Sequence, residues 1–446
     1  MVIIVSNDSS RCLTFMEVKI MQLNSSFKGF PAHYQAIEMA DIQRHHWNVL
    51  KGDLSLPLAV LKHSSIEHNL QWMKNFCLDR GIDIAPHGKT TMSPELYAKQ
   101  IAAGAWGITF ANVFQAGVGV RCGIQNIIIA NQVFQSIDLD TLSQFLSANS
   151  RLKIFFLVDS HTQIKAIENW KIKNHSKTIF NVLLEVGIDG HRTGCRTHAQ
   201  GLQLAQAIHQ SPALALSGIA CYEGGLVTCD HAHDQAGVNQ LMARVHQLAL
   251  ACENNQWFEH EEVLITAGGS AVFDLVAQNL KPSMKTKTRS ILRSGCYLTH
   301  DHQRYEKSMK CIAERLHLKE TLRPAIELIA GVQSCPEPGL ALLTMGKRDV
   351  SHDLDLPQPI WRANVGDLLT SVIPDHWVIT QLNDQHAYLK YNALSPNNEH
   401  PEMGQVVGFG ISHPCTTFDK WRWMPIVDDD YQVIEGRFQG GSATLG

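Results

Sequence analysis

Residues 180–224, FNVLLEVGIDGHRTGCRTHAQGLQLAQAIHQSPALALSGIACYEG, contain the repeating unit from which we predict the fold. The stretch begins with a short, almost continuous apolar run, FNVLLEVGI, and ends with another, ALSGIACYEG. Between them, HAQGLQLAQAIHQ has apolar residues at the three- and four-residue spacing of an amphipathic helix. Strands that are apolar on both faces are typical of a parallel sheet covered by helices. The pattern therefore predicts a strand, a helix and a second, parallel strand.

The same alternation extends in both directions along the chain. Apolar runs of strand length also occur at residues 82–89, 106–112, 126–131, 153–160, 263–270 and 290–298. With the two runs above they make eight strands, and segments of helical period separate them. Eight buried parallel strands predict a (β/α)8 TIM-type barrel of about 250 residues. An open, doubly wound sheet has the same local pattern, so the count of eight is what favours the barrel.

A second domain is predicted where this alternation stops, after about Leu318. Helical periodicity fades there, and short extended runs alternate with proline and glycine. We predict a mainly antiparallel β domain over residues 319–446 and the barrel over residues 55–318. Residues 1–54 are expected to form a tail and a segment that contributes to the β domain. The small, polar end of the chain, RFQGGSATLG, is expected to be frayed.

Length and composition restrict the class of protein. A chain of 446 residues exceeds the usual single-core limit of about 250–300 residues, which agrees with two domains. The net charge of -4, without a long basic run, disfavours binding to nucleic acid or to anionic membranes. No uninterrupted apolar run of about 18–20 residues and no signal-peptide pattern occur. The 11 cysteines are scattered and fit no disulfide framework, so we expect a cytoplasmic protein.

The segment APHGKTTMSPEL, residues 85–96, places Lys89 at the end of the first predicted barrel strand. The carboxyl ends of barrel strands converge on one site. A lysine held at such a place can form a Schiff base with a carbonyl group. The ordinary alternative is an exposed, solvated lysine. The position directly after an apolar run favours the reactive role.

Glycine motifs follow the seventh and eighth predicted strands. TAGGS contains Gly268, Gly269 and Ser270, and SGCY contains Gly295 and Tyr297. Glycines let the backbone approach an anion closely, and the loops after these two strands are a recurrent phosphate site in barrels. We predict a phosphate-binding cradle here, with an ordinary turn as the alternative.

Three further motifs carry candidate site residues. Arg192, in DGHRTG, can meet the ring nitrogen of a pyridine cofactor or a substrate carboxylate, or else be an ordinary salt-bridged loop arginine. Tyr222, in CYEGG, can line the site or simply pack with its hydroxyl satisfied. In GISHPCTTFDKW, His413 and Cys415 stand two residues apart, so both point to the same side of an extended chain. An imidazole and a thiolate suit zinc, although two ligands are too few for a complete site.

In this order, PHGKTTMSPEL, GHRTG, TAGGS, SGCY and SHPCTTFDKW resemble the D-serine dehydratase and D-threonine aldolase family of pyridoxal-phosphate enzymes, which have the alanine racemase-like fold. Within that family the chain is most similar to the amino acid deaminases, or D-serine deaminase-like proteins. The resemblance extends from roughly Leu56 to Tyr431. The sequence departs from the pattern at Ala85, where many relatives have arginine, and in its C-terminal end.

The resemblance implies the cofactors and the roles of the residues. Lys89 corresponds to the Schiff-base lysine, with Tyr222 as a second catalytic residue. The predicted cofactor-binding residues for pyridoxal 5'-phosphate are Lys89, His87, Arg192, Tyr222, Gly268, Gly269, Ser270, Gly295 and Tyr297. His413 and Cys415 resemble the Zn²⁺ ligands of the dehydratase branch, whereas the aldolase branch has an aspartate in place of the cysteine.

The function implied is dehydration of D-serine or a related D-3-hydroxy amino acid to a 2-oxo acid and ammonia, by a homodimer. Lys89 is the candidate base for the α-proton. One alternative is a D-threonine aldolase, in which the same groups break the Cα–Cβ bond to give glycine and an aldehyde. A racemase has no need of the metal pair. An alternative of another class is a non-catalytic carrier of pyridoxal phosphate, but such carriers lack the β domain.

Overall fold

The computed structural model describes residues 22–439. The predicted N-terminal tail falls largely outside this range, and so does most of the C-terminal end that was expected to be frayed. Two short antiparallel strands, β1 (Gln22–Leu23) and β2 (Ile37–Glu38), precede β3 (Leu58–Lys62). Short 3₁₀ segments occur at Met39–His45, Gly88–Thr90, Gly224–Leu226 and Asn397–Glu399.

The predicted barrel is confirmed. Its eight parallel strands are β4 (Asp83–Ile84), β5 (Ile108–Phe110), β6 (Asn126–Gln132), β7 (Lys153–Val158), β8 (Phe180–Val186), β9 (Leu214–Cys221), β10 (Glu262–Ala267) and β11 (Lys287–Leu292). Sequential strands pair from β5 to β11, and β11 pairs with β4. A parallel bridge between His87 and Thr109 joins the chain after β4 to β5 and closes the circle. The doubly wound alternative is therefore wrong.

Helices separate these strands and cover the barrel. They are α1 (His63–Arg80), α2 (Pro94–Ala102), α3 (Val113–Arg121), α4 (Ser136–Ala148), α5 (His161–Lys173), α6 (His198–Gln210), α7 (His231–Asn254), α8 (Phe273–Gln278) and α9 (Arg304–Leu316). The apolar face expected of α1 is buried, and its end at Gly81 follows from a left-handed backbone conformation with φ 56° that suits glycine. The HAQGLQLAQAIHQ segment forms α6, which begins with a capping box at Thr197.

The interior of the barrel is a packed core. In strands whose two faces are both buried, alternate side chains point inward and outward. The smaller of two buried clusters contains Ala85, Ile128, Phe155, Leu157, Leu183, Ala220, Leu264 and Ile291. Their outward-facing neighbours pack in the large cluster with the covering helices. Because the middle of the barrel is filled, a ligand has access only at its ends.

The second domain is the mainly antiparallel β structure that the sequence predicts. Its strands are β12 (Ile326–Glu337), β13 (Leu340–Leu343), β14 (Gln358–Ala363), β15 (Ser371–Val372), β16 (Val378–Leu382), β17 (Ala387–Lys390), β18 (Val406–Gly410), β19 (Trp423–Val427) and β20 (Val433–Phe438), with one short helix, α10 (Pro414–Phe418). The strand β3 lies in this sheet between β12 and β19, although residues 55–318 were assigned to the barrel. The chain before the barrel therefore contributes to the β domain through residue 62.

Candidate active site

The carboxyl ends of the barrel strands and the β domain together form a cavity of about 240 Å³ that is open to solvent. Ten of the eleven site residues named from the sequence line this cavity: Lys89, His87, Arg192, Tyr222, Gly268, Gly269, Ser270, Gly295, His413 and Cys415. The lysine and the histidine–cysteine pair, more than three hundred residues apart, thus share one site. Tyr297 is the exception.

Lys89 lies in the 3₁₀ turn that follows β4, and its side chain is exposed where it lines the cavity. The turn is held from behind, because the buried Tyr97 hydroxyl donates a hydrogen bond of 2.8 Å to the Gly88 carbonyl. A side chain at Gly88 would collide with Ile108 at 2.7 Å. Within residues 22–439 the Lys89 amine has no hydrogen bond or ion pair. Lys89 thus presents an unpaired amine to the cavity from a turn that Tyr97 holds in place.

His87 precedes this turn and carries a buried ring nitrogen, Nδ1, for which residues 22–439 provide no hydrogen-bond partner. Burial lowers the pKa of His87 well below its usual value, and the charges of Lys89, Arg293 and Arg192 lower it further. The imidazole is therefore neutral at pH 7. A neutral imidazole between cations can contact an anionic or aromatic ligand without adding charge.

Only some of the backbone amides in the two glycine motifs are available to bind an anion. The amides of Gly268 and Gly269 donate to the buried Glu223 carboxylate, at 3.1 and 2.5 Å. In the described chain, the amides of Ser270 and Gly295 donate no hydrogen bond. Gly295 also packs so closely on His87 that a Cβ would stand 2.4 Å from the His87 carbonyl oxygen. An anion in this cradle would have the amides of Ser270 and Gly295 available.

Tyr297 does not line the cavity. Its ring is buried, and its hydroxyl accepts a hydrogen bond of 3.2 Å from Gln100 of α2. Burial raises the pKa of this phenol far above its usual value. SGCY places Cys296, not Tyr297, in the cavity, and the assignment of Tyr297 to the cradle stays a prediction.

Arg192 and Tyr222 meet at the side of the cavity, with the guanidinium carbon 5.1 Å from the centre of the phenol ring. Arg192 has no ion pair with any residue in the described range. The structure therefore does not show the salt-bridged loop arginine that was the alternative. Burial and the neighbouring Glu223 raise the pKa of Tyr222, which keeps its hydroxyl protonated at neutral pH. Arg192 is therefore an unneutralised cation at the site.

The metal motif joins the β domain to the lysine turn. His413 Nδ1 lies 2.6 Å from Asp353 Oδ2, and Thr416 donates to the other carboxylate oxygen at 3.0 Å. Cys415 Sγ lies 3.4 Å from the hydroxyl of Thr90, the residue after Lys89. Across residues 22–439 no three His, Cys, Asp or Glu side chains already converge as a metal site. The motif alone thus supplies two ligand groups, one of them oriented by a carboxylate.

Sequence reasoning missed several polar residues that line the cavity: Glu185, Arg293, Cys296 and Tyr305, with Glu223 directly behind it. Arg293 is buried at the end of β11, where it donates to the Thr266 hydroxyl and to the Cys221 carbonyl. Cys296 Sγ is 4.0 Å from Cys415 Sγ. Arg293 and Cys296 both belong to RSGCY, so their position after a barrel strand was the available signal. Glu185 lies in the carboxyl end of β8, one residue before the strand ends, and Glu223 follows β9.

Two family models match the chain. The alanine racemase N-terminal domain matches residues 61–306, more than half of the chain, and a serine dehydratase domain matches residues 325–427. The boundary between the two matches falls between the barrel and the β domain. No helix within the described residues is long and apolar enough to cross a membrane.

Characterised relatives of this chain include two kinds of lyase. A D-threonine aldolase of Arthrobacter sp. is 24% identical over 84% of this chain and 89% of its own. A D-threo-3-hydroxyaspartate dehydratase of Delftia sp. (strain HT23) is 25% identical over 75% of this chain and 83% of its own. Among solved structures, the D-threonine aldolase of Filomicrobium marinum superposes with a TM-score of 0.72 at 21% identity, over 88% of this chain and 97% of that protein.

Proposed function

The chain belongs to the alanine racemase N-terminal domain family, and from that membership we propose that it is a pyridoxal-phosphate-dependent lyase acting on D-3-hydroxy amino acids. More specifically, we propose a zinc-dependent dehydratase that converts D-serine or a related substrate to a 2-oxo acid and ammonia. The observation that carries the proposal is the common cavity, in which the free amine of Lys89 shares a site with His413 and Cys415. The relatives named above are lyases of this class.

The residues present fit pyridoxal phosphate. Lys89 supplies an unpaired amine for its aldehyde, and the free amides of Ser270 and Gly295 are available to its phosphate. The orphaned Nδ1 of His87 is a polar atom that a bound ring and its substituents can satisfy. When bound, this cofactor supplies an electron sink for the bond that breaks at Cα. The Lys89 amine would take the α-proton of the substrate on Nζ.

The residues also fit a zinc ion in part. His413 is oriented through Nδ1 by Asp353, which leaves Nε2 for a ligand, and Cys415 supplies a sulfur. When bound, zinc supplies a Lewis acid for the departing β-hydroxyl, which is otherwise a poor leaving group. The unneutralised Arg192 is available for the substrate carboxylate. The substrate would thus lie between groups of the two domains, with its α-proton toward the barrel and its hydroxyl toward the β domain.

The main alternative is the aldolase reaction, which needs the same lysine and the same metal. Relatives of both activities align at almost equal identity, so overall similarity favours neither. Cys415 favours dehydration, because in the family that this chain resembles the aldolase branch has an aspartate at this position. We also propose that the protein is a cytoplasmic homodimer, as the resemblance implies. A non-catalytic carrier is disfavoured by the β-domain residues that complete the cavity.

A product assay tests the proposal. The purified protein, supplied with pyridoxal phosphate and zinc, is incubated with D-serine, D-threonine and their L-enantiomers. We expect pyruvate from D-serine or 2-oxobutyrate from D-threonine, each with an equivalent of ammonia, and no product from the L-enantiomers. Glycine and an aldehyde without a 2-oxo acid would establish the aldolase reaction instead. Cofactor binding without turnover of any D-amino acid would favour the carrier.

A further inference from the structure

Two cysteine thiols from different domains meet in the cavity. Cys296 follows β11 of the barrel, and Cys415 lies in α10 of the β domain, with their sulfur atoms 4.0 Å apart. Both are free thiols, and the distance is about twice the 2.05 Å of a disulfide bond. The Thr90 hydroxyl lies 3.6 Å from one sulfur and 3.4 Å from the other. Thr90 directly follows Lys89 in the sequence. The two thiols therefore lie beside the lysine turn.

We propose that Cys296 is a third protein ligand of the metal ion, an inference that rests on the zinc-dependent function proposed above. Two thiolates on one tetrahedral zinc, each about 2.3 Å from the metal, stand about 3.8 Å apart. The observed separation of 4.0 Å lies close to this value. On binding, each thiol releases its proton and the sulfur lone pair becomes the metal bond, so no oxidant or reductant is required.

The ligand count supports this assignment. Catalytic zinc sites have three protein ligands and one position open for water or substrate. His413 and Cys415 provide two, and among the described residues that line the cavity Cys296 brings a sulfur within 4.0 Å of Cys415. His413 is held against Asp353, and the described residues show no preformed site of three ligands. With Cys296 the metal would have three protein ligands, and its fourth position would remain for the substrate hydroxyl.

The assignment has a structural consequence. A metal held by Cys296 and Cys415 would link the barrel directly to the β domain. It would also lie next to the lysine turn, because Thr90 contacts both sulfurs. The metal would then fix the distance between Lys89, which moves the α-proton, and the site of hydroxide loss.

X-ray absorption at the zinc edge of the fully loaded, reduced wild-type protein counts the sulfur ligands without any substitution. We expect two sulfur neighbours per zinc at about 2.3 Å. One sulfur would overturn the role of Cys296 but leave the proposed function intact. A protein that binds no zinc at all would overturn both.

Variants loaded with cobalt provide the second measurement. The thiolate-to-cobalt charge-transfer absorption should fall by about half in Cys296→Ser and in Cys415→Ser, since each loses one of two thiolates. Exposed Cys335→Ser, which does not line the cavity, is the matched control and should match wild type. Zinc should bind Cys296→Ser at least about tenfold more weakly. Unchanged absorption and affinity in Cys296→Ser, with circular dichroism confirming the fold, would refute the assignment.

Discussion

At the scale of single residues, Lys89 is the side chain on which the cofactor assignment depends. Its amine is unpaired in the described chain and lines the cavity, so Lys89→Ala should lose both the covalent cofactor absorbance and the activity. Loss of a positioned proton-transfer group alone costs about 10²–10⁴-fold in rate. Exposed Lys74→Ala, on α1, is the control and should keep both. If Lys89→Ala retained the absorbance and the turnover, pyridoxal phosphate would have to be held elsewhere.

Asp353 is predicted to position His413 rather than to touch the metal. Its carboxylate accepts from His413 Nδ1 at 2.6 Å and so fixes which ring nitrogen faces the ligand. Asp353→Asn should weaken zinc affinity about 10–100-fold, as is usual when such a partner is lost. Competition with a chromophoric chelator measures this affinity, and exposed Asp79→Asn on α1 is the control. Equal affinity in the two variants would show that Asp353 has no part in the metal site.

Local sequence motifs could identify some residues of the site but not others. Lys89, His413 and Cys415 stand in distinctive local motifs, and their chemistry could be named before any contact was known. Glu223 follows a barrel strand, but its role could not be foreseen, because that role depends on the approach of the Gly268 and Gly269 amides from the next barrel strand. These bonds occupy part of the predicted phosphate cradle.

At the scale of elements, one buried ion pair ties α8 to α9, the helices that follow the last two barrel strands. Arg315 donates to both oxygens of the fully buried Asp274, each at 2.8 Å. Arg315→Ala would leave that carboxylate buried without a partner, which should lower the free energy of unfolding by about 3–5 kcal/mol. The pair of exposed Lys310 with half-buried Glu306 on α9, at 3.9 Å, is the control, and Lys310→Ala should cost at most about 1 kcal/mol. Denaturant unfolding measures both, and equal losses would contradict the argument.

Element boundaries follow from the sequence only where local chemistry sets them. The predicted segment VNQLMARVHQLALACENN lies in α7, but this helix begins earlier, at His231, because the Asp230 side chain accepts from the His233 amide. The polar first turn carries no apolar period, so periodicity alone misses it. The strand β3 has the apolar character of a barrel strand, and only its pairing with β12 and β19 assigns it to the β domain.

At the scale of the whole molecule, the site is formed by residues of two domains. No local stretch of the sequence shows which residues of the two domains are in contact. The count of eight strands predicted the barrel, and the change of texture after Leu318 predicted the β domain. Their relative placement could not be predicted, because the residues that meet, such as Thr90 and Cys415, belong to distant segments. The resemblance to known enzymes supplied the expectation of one shared site.

This shared site predicts that metal removal destabilises the whole protein. A ligand that binds only the folded state adds about 2.7 kcal/mol at a free concentration of 100 times its Kd. Because His413 and Cys415 come from the β domain and share their cavity with Lys89 of the barrel, bound zinc should stabilise the packing of the two domains. Chelation should therefore lower the Tm of zinc-loaded wild type by a few degrees, and zinc should restore it. The same treatment should lower the Tm of His413→Ala by less, since that variant has lost a ligand and binds zinc more weakly. An equal shift in both proteins, measured by calorimetry, would mean that the stabilising metal binds outside this cavity.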